Sequence, residues 1–342
     1  MVNTPSIDPA EIRYQRQALK EVSRTFALTI PLLPEALEHA VGNAYLLCRI
    51  ADTIEDDTRL SGEEKQSFSS ALISLVEGEG DSRQFAAGLD ARLSAQTPHT
   101  EKDLIAHTPQ VIAITQKLSP GQTSAIQTCV RRMATGMPEF QRNHTGTGLA
   151  DMATLNRYCY VVAGVVGEML TDFFCAHSAS IAEQRGQLSK LAFSFGQGLQ
   201  LTNILKDIQV DKGRGICWLP ADIFNRHGFD LTLLQQGTCS PGLTGGVNQL
   251  IAITRHHLDN ALEYALSIPG SEIEIRRFLM FPLLLALLTL RKIHAATGNT
   301  DDGSIKISRK SVLLSGAFIK YGARQDRVVN HLFRFLSRGL PG

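Results

Sequence analysis

Hydrophobic residues recur at helical spacing along nearly the whole chain, with polar positions between them. Runs of alternating β-branched residues, which would mark strands, are absent from the sequence. Proline and glycine cluster between the periodic segments, where helices end. The pattern predicts helices near residues 8–22, 35–57, 62–78, 103–117, 121–136, 151–176, 181–211, 246–267, 271–296 and 307–320. We therefore predict an all-α protein.

Domain organisation follows from the same pattern. No low-complexity linker or internal repeat divides residues 1–342, so we predict a single domain. A hydrophobic content of 43% can supply a large core, and a formal net charge of +1 gives no general attraction to nucleic acid. We expect the six scattered cysteines, none in a CxxC pair, to be reduced thiols of a cytoplasmic protein.

Membrane-spanning segments are not expected. The longest apolar run, residues 278–290, contains a proline and is shorter than the roughly 20 residues needed to cross a bilayer. It is better interpreted as a buried core helix. Residues 1–10 lack the basic and apolar pattern of a signal peptide. Residues 323–342 interleave arginines with apolar residues, which predicts packing against the body or, alternatively, peripheral attachment to the anionic inner membrane surface.

Two acidic segments carry the strongest chemical signal. Asp52 and Asp56 are four residues apart, and so are Asn203, Asp207 and Asp211 in turn. Residues four apart lie on one face of an α-helix, so each set forms an oxygen-rich stripe. Stacked like charges destabilise a helix unless a cation neutralises them. Oxygen-only ligands favour Mg²⁺ shared with substrate phosphates, and a solvated acidic face is the alternative.

Basic residues accompany both stripes. Arg49 lies one turn before Asp52, Lys206 lies within the second stripe, and Arg214 follows it closely. Their N–H groups can donate to phosphate oxygens. Apolar sequence surrounds both stripes, which is not typical of a solvated helix face. These features favour a site for metal and diphosphate.

Four ordered segments, Ser23–Phe26, Tyr45–Asp56, Tyr158–Gly167 and Asn203–Asp211, resemble the squalene/phytoene synthase family of head-to-head prenyl transferases. The resemblance extends from about residue 20 to about residue 310, within a motif-bearing core of about 20–322. It implies the isoprenoid synthase fold, with helices around a central apolar cavity. It also implies Mg²⁺-dependent condensation of two farnesyl diphosphates to presqualene diphosphate, followed by NADPH-dependent reduction to squalene.

The resemblance also assigns roles to residues. The expected Mg²⁺ ligands are Asp52, Glu55, Asp56, Asp207 and Asp211, which also count as catalytic. Tyr158 would lie near the carbocation and the proton removed from it. The expected substrate-binding residues are Ser23, Arg24, Tyr45, Arg49, Ala163, Gln200, Asn203, Lys206, Arg214 and Phe278.

The glycine-rich helix around Ala163, Gly164 and Gly167 has two interpretations. Glycine inside a helix costs about 0.5–1 kcal/mol relative to alanine, so something must approach the backbone closely. Tight helix packing is one explanation. A groove that admits a prenyl chain is the other.

NADPH has the weakest sequence support. Gly196-Gln197-Gly198 lacks the third glycine and the preceding strand of a dinucleotide-binding fold. Lys306, Ser308 and Arg309 resemble a late basic motif that contacts the cofactor phosphates, with Asn203 as a further expected contact, although Ser308 stands where a basic residue is common. An ordinary basic helix start is the alternative.

Three other functions remain open at this stage. A phytoene or dehydrosqualene synthase would share the acidic stripes, and so would an enzyme that stops at presqualene diphosphate. A non-catalytic helical assembly protein could keep the fold without the activity.

Overall fold

The computed structural model describes residues 7–23, 25–141, 146–235, 238–297 and 305–342. Short segments depart from the α-helix at Ile30–Leu32 and Leu231–Leu233, which are 3₁₀, and at Tyr160–Gly164, which is a π-helix. An isolated bridge pairs Leu149 with Pro220. The predicted all-α class is confirmed. The α-helices in chain order are Pro9–Val22 (α1), Phe26–Thr29 (α2), Glu35–Asp56 (α3), Gly62–Val76 (α4), Ser82–Asp90 (α5), His99–Ala106 (α6), Thr108–Lys117 (α7), Pro120–Gln141 (α8), Met152–Cys159 (α9), Val165–His177 (α10), Ala179–Ala182 (α11), Arg185–Gly213 (α12), Ala221–Arg226 (α13), Pro241–Ser267 (α14), Ile273–Ala296 (α15), Arg309–Gly322 (α16) and Asp326–Ser337 (α17).

The chain divides into two compact units. Unit 1 comprises Met1–Glu139 and Glu168–Ala182, and unit 2 comprises Phe140–Gly167 and Glu183–Gly342. The prediction of a single domain stays a prediction.

In unit 1, α3 is the central helix and packs against α1, α4, α6 and α7. Its apolar side chains, including Leu46, Leu47 and Ile50, are fully buried. A buried hydrogen bond of 2.7 Å from the Asn43 amide to the Thr115 hydroxyl joins α3 to α7. The position of α3 is therefore determined on several sides by burial and by a specific polar contact.

In unit 2, α12 is the central helix and packs against α9, α14, α15 and the π-helical segment. Leu201, Ile204 and Leu205 of α12 are buried. Helix α15 is also largely buried, which confirms the assignment of residues 278–290 to a core helix. Because α12 is enclosed on several sides, its polar side chains must either find buried partners or line an accessible surface.

The stretch Met152–His177 contains residues of both units: residues 152–167 belong to unit 2 and residues 168–177 to unit 1. It is long and apolar enough to cross a membrane by length and composition alone, with a mean hydropathy of 1.5. The stretch is not one continuous apolar run in the sequence, because Asn156, Arg157 and Glu168 lie within it. In the structure, 56% of its most apolar window is buried, as expected of a core helix.

Other departures from the predicted helices have local causes. The predicted helix 103–117 is two helices that meet at His107, because Pro109 cannot donate a backbone hydrogen bond and starts a new helix. The short helices α5 and α13 were not predicted, since nine and six residues are too few for a clear periodicity.

The C-terminal helix α17 packs on α15 in unit 2. Val329 and Phe333 are buried, and Arg276 of α15 donates a 2.6 Å hydrogen bond to Asp326 at the start of α17. The predicted packing of the C-terminal segment is therefore confirmed for this apolar side.

Candidate active site

In unit 1, a single polar stripe interrupts the burial of α3. From Leu37 to Glu55, all side chains are buried except Tyr45, Arg49 and Asp52. Asp56, the last helical residue, is exposed and continues the stripe. At 100° per residue, these four positions fall within about 60° around the helix axis. The spacing that predicted an oxygen-rich face therefore gives the one accessible face of this helix.

The acids at this end of α3 lie in surroundings that disfavour their ionised forms. The Asp52 side chain keeps 38% of its surface exposed, so solvent and ligands can reach it. Burial of its surroundings, and next the negative charge of Asp56, raise the pKa of Asp52 to about 7. Burial raises the pKa of Glu55 to about 7 as well, with Asp56 and Asp52 adding to the effect and Lys65 opposing it. A cation placed here would stabilise the ionised form of both groups.

Arg49 and Lys65 are the cations next to these carboxylates. An Arg49 nitrogen lies 3.9 Å from a carboxylate oxygen of Asp52, whereas another bonds directly to Glu101. The buried Nε of Arg49 has no hydrogen-bond partner among the described residues. Lys65 donates to the backbone carbonyl of Glu55. Sequence reasoning missed Glu101 and Lys65, because only the fold brings α6 and α4 to this end of α3.

Ser23 and Tyr45 lie at the entrance to α2. The Ser23 hydroxyl accepts a 3.0 Å hydrogen bond from the backbone N–H of Phe26, and the Tyr45 hydroxyl donates to the carbonyl of Val22 at 3.3 Å. The rings of Phe26 and Tyr45 are 5.3 Å apart. These contacts place Ser23 beside the α3 stripe. Arg24, a predicted substrate contact, lies outside the described residues.

Asp57 has a structural role that separates it from the stripe. Its carboxylate accepts hydrogen bonds from the backbone of Arg59, Leu60 and Ser94 and from the Thr97 hydroxyl, at 2.7–3.2 Å. These bonds outweigh the effect of burial and lower its pKa. Of the consecutive acids that end α3, the last therefore anchors the following loop.

In unit 2, α12 carries the second stripe. Gln200, Asn203, Asp207 and Asp211 remain at least partly accessible, whereas Leu201, Thr202, Ile204 and Leu205 between them are buried. The four polar positions fall within about 80° around the axis. The structure thus brings together on one face the residues that the sequence pattern grouped.

Lys206 compensates this stripe directly. Its ammonium lies 3.1 Å from the Asp207 carboxylate and 3.5 Å from the Asn203 side-chain oxygen. Lys212 instead donates to the carbonyl of Gly146, so it supports the loop before α9. Arg214 follows the helix end and is exposed, which leaves its guanidinium accessible to an anion.

Tyr158 lies on an aromatic platform in unit 2. Its ring stacks on Trp218, with centroids 3.8 Å apart and an angle of 12°, and meets Phe140 edge-on at 5.5 Å. Sequence reasoning missed Trp218, although it is the only tryptophan in the chain. The platform begins just before the π-helical segment Tyr160–Gly164, a type of distortion frequent at functional sites.

The glycines of the following helix are explained by packing. A Cβ on Gly167 would lie 2.3 Å from the carbonyl oxygen of Ala192, and one on Gly196 would lie 2.3 Å from that of Ala163. Helix α12 therefore makes the close approach to Gly167, which supports the packing explanation, and a prenyl groove beside this helix stays a prediction. The Ala163 side chain keeps partial exposure, and its predicted contact with substrate stays a prediction.

Phe278 is a core residue of α15. It is 2% exposed and belongs to the core of unit 2. An aromatic residue at helical spacing is more often a core residue than a pocket residue. The predicted contact of Phe278 with substrate stays a prediction.

The late basic motif lies at the start of α16. Ser308 is the N-cap of this helix, and its hydroxyl accepts a 3.1 Å hydrogen bond from the N–H of Ser311. The serine that replaces a basic residue therefore begins the helix, which restricts its freedom to bind phosphate. Lys306 and Arg309 are exposed and remain available to an anion.

The donor set fits Mg²⁺ shared with a substrate. Each stripe supplies two aspartates, and Mg²⁺ is usually held by one or two carboxylates together with phosphate oxygens. The chemistry of the donor set supports the fit, because carboxylate oxygens are ligands that Mg²⁺ prefers and the Asp52 side chain, 38% exposed, can be reached by a ligand. Among the described residues, no group of three or more His, Cys, Asp and Glu forms a ready-made metal site.

Comparison with known proteins gives the family. The profile of the squalene/phytoene synthase family matches residues 19–311. The chain belongs to the squalene/phytoene synthase family.

Two relatives illustrate the similarity. Squalene synthase from Dictyostelium discoideum is 28% identical over 295 residues, which cover 86% of this chain and 66% of that protein. Squalene synthase from Homo sapiens is 27% identical over 296 residues, covering 85% and 65%. The chain thus spans less than two thirds of the length of these curated relatives.

Solved structures share the fold. A ligand complex of TcSQS superposes with a TM-score of 0.74 at 22% identity, covering 97% of this chain and 99% of that one. A dehydrosqualene synthase in complex with ligand gives 0.66 at 20% identity, covering 91% and 95%. The predicted isoprenoid synthase fold is confirmed.

Proposed function

We propose that this chain condenses two farnesyl diphosphates head to head into presqualene diphosphate and then reduces that product to squalene. The observation that carries the proposal is the α3 stripe, where an otherwise buried helix exposes Tyr45, Arg49, Asp52 and Asp56. A helix that needed only stability would bury apolar groups at these positions. Family membership and the similarity to squalene synthases support the choice of reaction.

Ionisation of the first diphosphate is assigned to the two stripes. Asp52 and Asp56 would hold Mg²⁺ on one stripe, and Asp207 and Asp211 on the other. When bound, Mg²⁺ supplies positive charge that makes diphosphate a better leaving group. Arg49 and the other basic residues would donate charge-assisted hydrogen bonds to the phosphate oxygens. Glu55 is buried, so it would contribute its negative charge to this end of α3 more readily than it would contact a ligand.

Formation of the new carbon–carbon bond leaves a cation that must lose a proton. The double bond of the second substrate forms the bond to the allylic carbon as the first diphosphate departs. The stacked rings of Tyr158 and Trp218 would stabilise the positive charge through their π faces. The Tyr158 hydroxyl would relay the departing proton, which closes the cyclopropane ring of presqualene diphosphate.

The reductive half-reaction is assigned to the start of α16. The second diphosphate would depart and the cyclopropane ring would open to leave a cation, and NADPH, when bound, supplies the hydride that this cation accepts. Lys306 and Arg309 would hold its phosphates, helped by the N-terminal end of the helix. One observation favours a second candidate, a dehydrosqualene synthase that needs no reductant: Ser308 caps the helix where a third cation would strengthen cofactor binding.

Product analysis distinguishes the two candidates. The purified protein is incubated with radiolabelled farnesyl diphosphate and Mg²⁺, with and without NADPH, and the hydrocarbons are identified. We expect squalene only when NADPH is present, and presqualene diphosphate without it. Formation of dehydrosqualene regardless of NADPH would select the second candidate, and release of no diphosphate at all would contradict both.

Lys306→Ala tests the assignment of the cofactor contact. We expect condensation to proceed normally and squalene to fall roughly tenfold at limiting NADPH, because one charge-assisted contact is lost. Lys20→Ala, which removes an exposed lysine at the end of α1, is the matched control. It should leave both the product profile and the NADPH dependence unchanged. An unchanged product profile in Lys306→Ala would remove Lys306 from the site.

A further inference from the structure

Helix α16 presents two leucines and a tyrosine to solvent. Leu313, Leu314 and Tyr321 are 73%, 71% and 75% exposed. The side turned towards the protein buries Ile319 together with the small residues Ser315 and Gly322. A helix that only had to pack would turn its leucines inward. The outer face of α16, which is the side that carries Leu313, Leu314 and Tyr321, is therefore suited to contact an apolar phase outside the protein.

Cations surround this apolar face. Lys310 and Lys320 are exposed, and Arg324 follows the helix end, while Arg309, assigned above to the cofactor phosphates, lies at the edge of this face. At 100° per residue, the exposed apolar and basic positions of α16 fall within about 140° around its axis. From residue 305 to residue 325 the sequence contains five lysines and arginines and no aspartate or glutamate.

The neighbouring helix adds further positive charge. Arg277 of α15 donates a 2.7 Å hydrogen bond to the carbonyl of Lys320, and Lys292 donates to the carbonyl of Lys306. Both contacts place α15 cations along α16, where they reinforce its charge.

We propose that the outer face of α16 docks on an anionic lipid bilayer. The helix would lie in the interface with Leu313, Leu314 and Tyr321 among the acyl chains and the cations at the lipid phosphates. A second copy of this chain is a poor occupant, because a symmetric contact would bring two basic surfaces together. The proposal goes beyond the proposed reaction and needs neither metal nor substrate. It also moves the membrane contact from residues 323–342, where α17 turns Val329 and Phe333 inward.

Co-sedimentation with lipid vesicles tests the proposal on the intact protein. Vesicles of phosphatidylcholine alone are compared with vesicles that also contain phosphatidylglycerol, at low and high salt. We expect binding to the anionic vesicles only, weakened by salt because surface charges are screened. Leu313→Ser should weaken that binding about tenfold, since an inserted leucine loses its apolar burial.

Two pairs of variants distinguish binding through the outer face of α16 from nonspecific binding to vesicles. Leu233 is also 65% exposed, so Leu233→Ser is the matched control for Leu313→Ser and should bind like wild type. Lys320→Glu should weaken binding roughly fivefold or more, whereas Lys190→Glu, an exposed lysine of α12, should change it less than twofold. All four substitutions are on exposed positions, so circular dichroism should show unchanged folding.

Three results would overturn the proposal. One is equal binding to neutral and anionic vesicles. Another is equal loss of binding in the two members of either pair. The third is the absence of vesicle binding together with a concentration-dependent dimer, seen by sedimentation velocity, that Leu313→Ser dissociates. That outcome would assign the face to a second copy of the chain.

Discussion

The α3 stripe and the α12 stripe have the same spacing of acids but different electrostatic surroundings. On α12, Lys206 touches both Asp207 and Asn203, so the stripe carries its own counter-charge. On α3, the Arg49 guanidinium is 3.9 Å from Asp52 and bonds directly to Glu101. The difference indicates that Asp52 has a weaker contact with its cation than Asp207 has, and that Glu101 from another helix creates this difference.

The largest expected effect is on catalysis, where the two stripes should behave alike. Asp52→Asn and Asp207→Asn should each reduce Mg²⁺-dependent diphosphate release on the order of a hundredfold or more, because each removes a charge from the leaving-group site. Asp90→Asn, at an exposed position of α5, is the control and should keep full activity. Near-normal turnover of either active-site variant at saturating Mg²⁺ would contradict the metal assignment.

The two basic partners should differ in stability. Arg49→Ala leaves Glu101, whose side chain is only 14% exposed, without its cation and should cost on the order of 1–3 kcal/mol. Lys206→Ala breaks a contact between two side chains that are each about one third exposed, and should cost less than about 0.5 kcal/mol. Denaturant unfolding measures both values. Equal changes in the free energy of unfolding would show that the different surroundings of Arg49 and Lys206 do not affect stability.

The smallest expected effect concerns the pH dependence of stability in the metal-free protein. The folded-state pKa of Asp52 is about 7, well above its ordinary 3.8, so the folded state binds more protons between these values. Its contribution to stability is therefore complete below pH 3.8 and is lost as the pH rises through 7. Asp52→Asn should raise the melting temperature by about 1–3 °C near pH 8 and lose that gain near pH 4.

The matched comparison for this prediction is Asp207→Asn. Removing this carboxylate takes away the partner of Lys206, so the melting temperature near neutral pH should stay the same or fall slightly. Differential scanning calorimetry of both variants across the pH range checks the contrast. A melting temperature of Asp52→Asn below that of wild type above pH 7 would show that Asp52 is not destabilised by its surroundings.

The site was predictable where it depends on position along one helix. Tyr45, Arg49, Asp52 and Asp56 share a face because of helical geometry alone, and so do the members of the α12 stripe. Trp218 was missed because its stacking on Tyr158 joins residues that are distant in sequence. The hydrophobic periodicity of a sequence does not indicate which distant residues come into contact.

At the glycines and at Phe278, the sequence could not determine what packs against the residue. A glycine in a helix signals that something approaches the backbone, and the sequence cannot say whether that is a ligand or another helix. The backbone of α12 fills the space above Gly167, and the core encloses Phe278. Burial depends on what packs against a face, which is a property of the assembled fold.

The sequence by itself therefore determined the helical class, the family motifs and the two acidic faces, since these follow from local periodicity and spacing. Only the tertiary structure decided which of the consecutive acids is accessible, that Glu101 competes for Arg49, and that Ser308 begins a helix. It also decided that α16 turns its leucines outward. Charge compensation and exposure are set by neighbours from distant parts of the chain, and local sequence does not encode them.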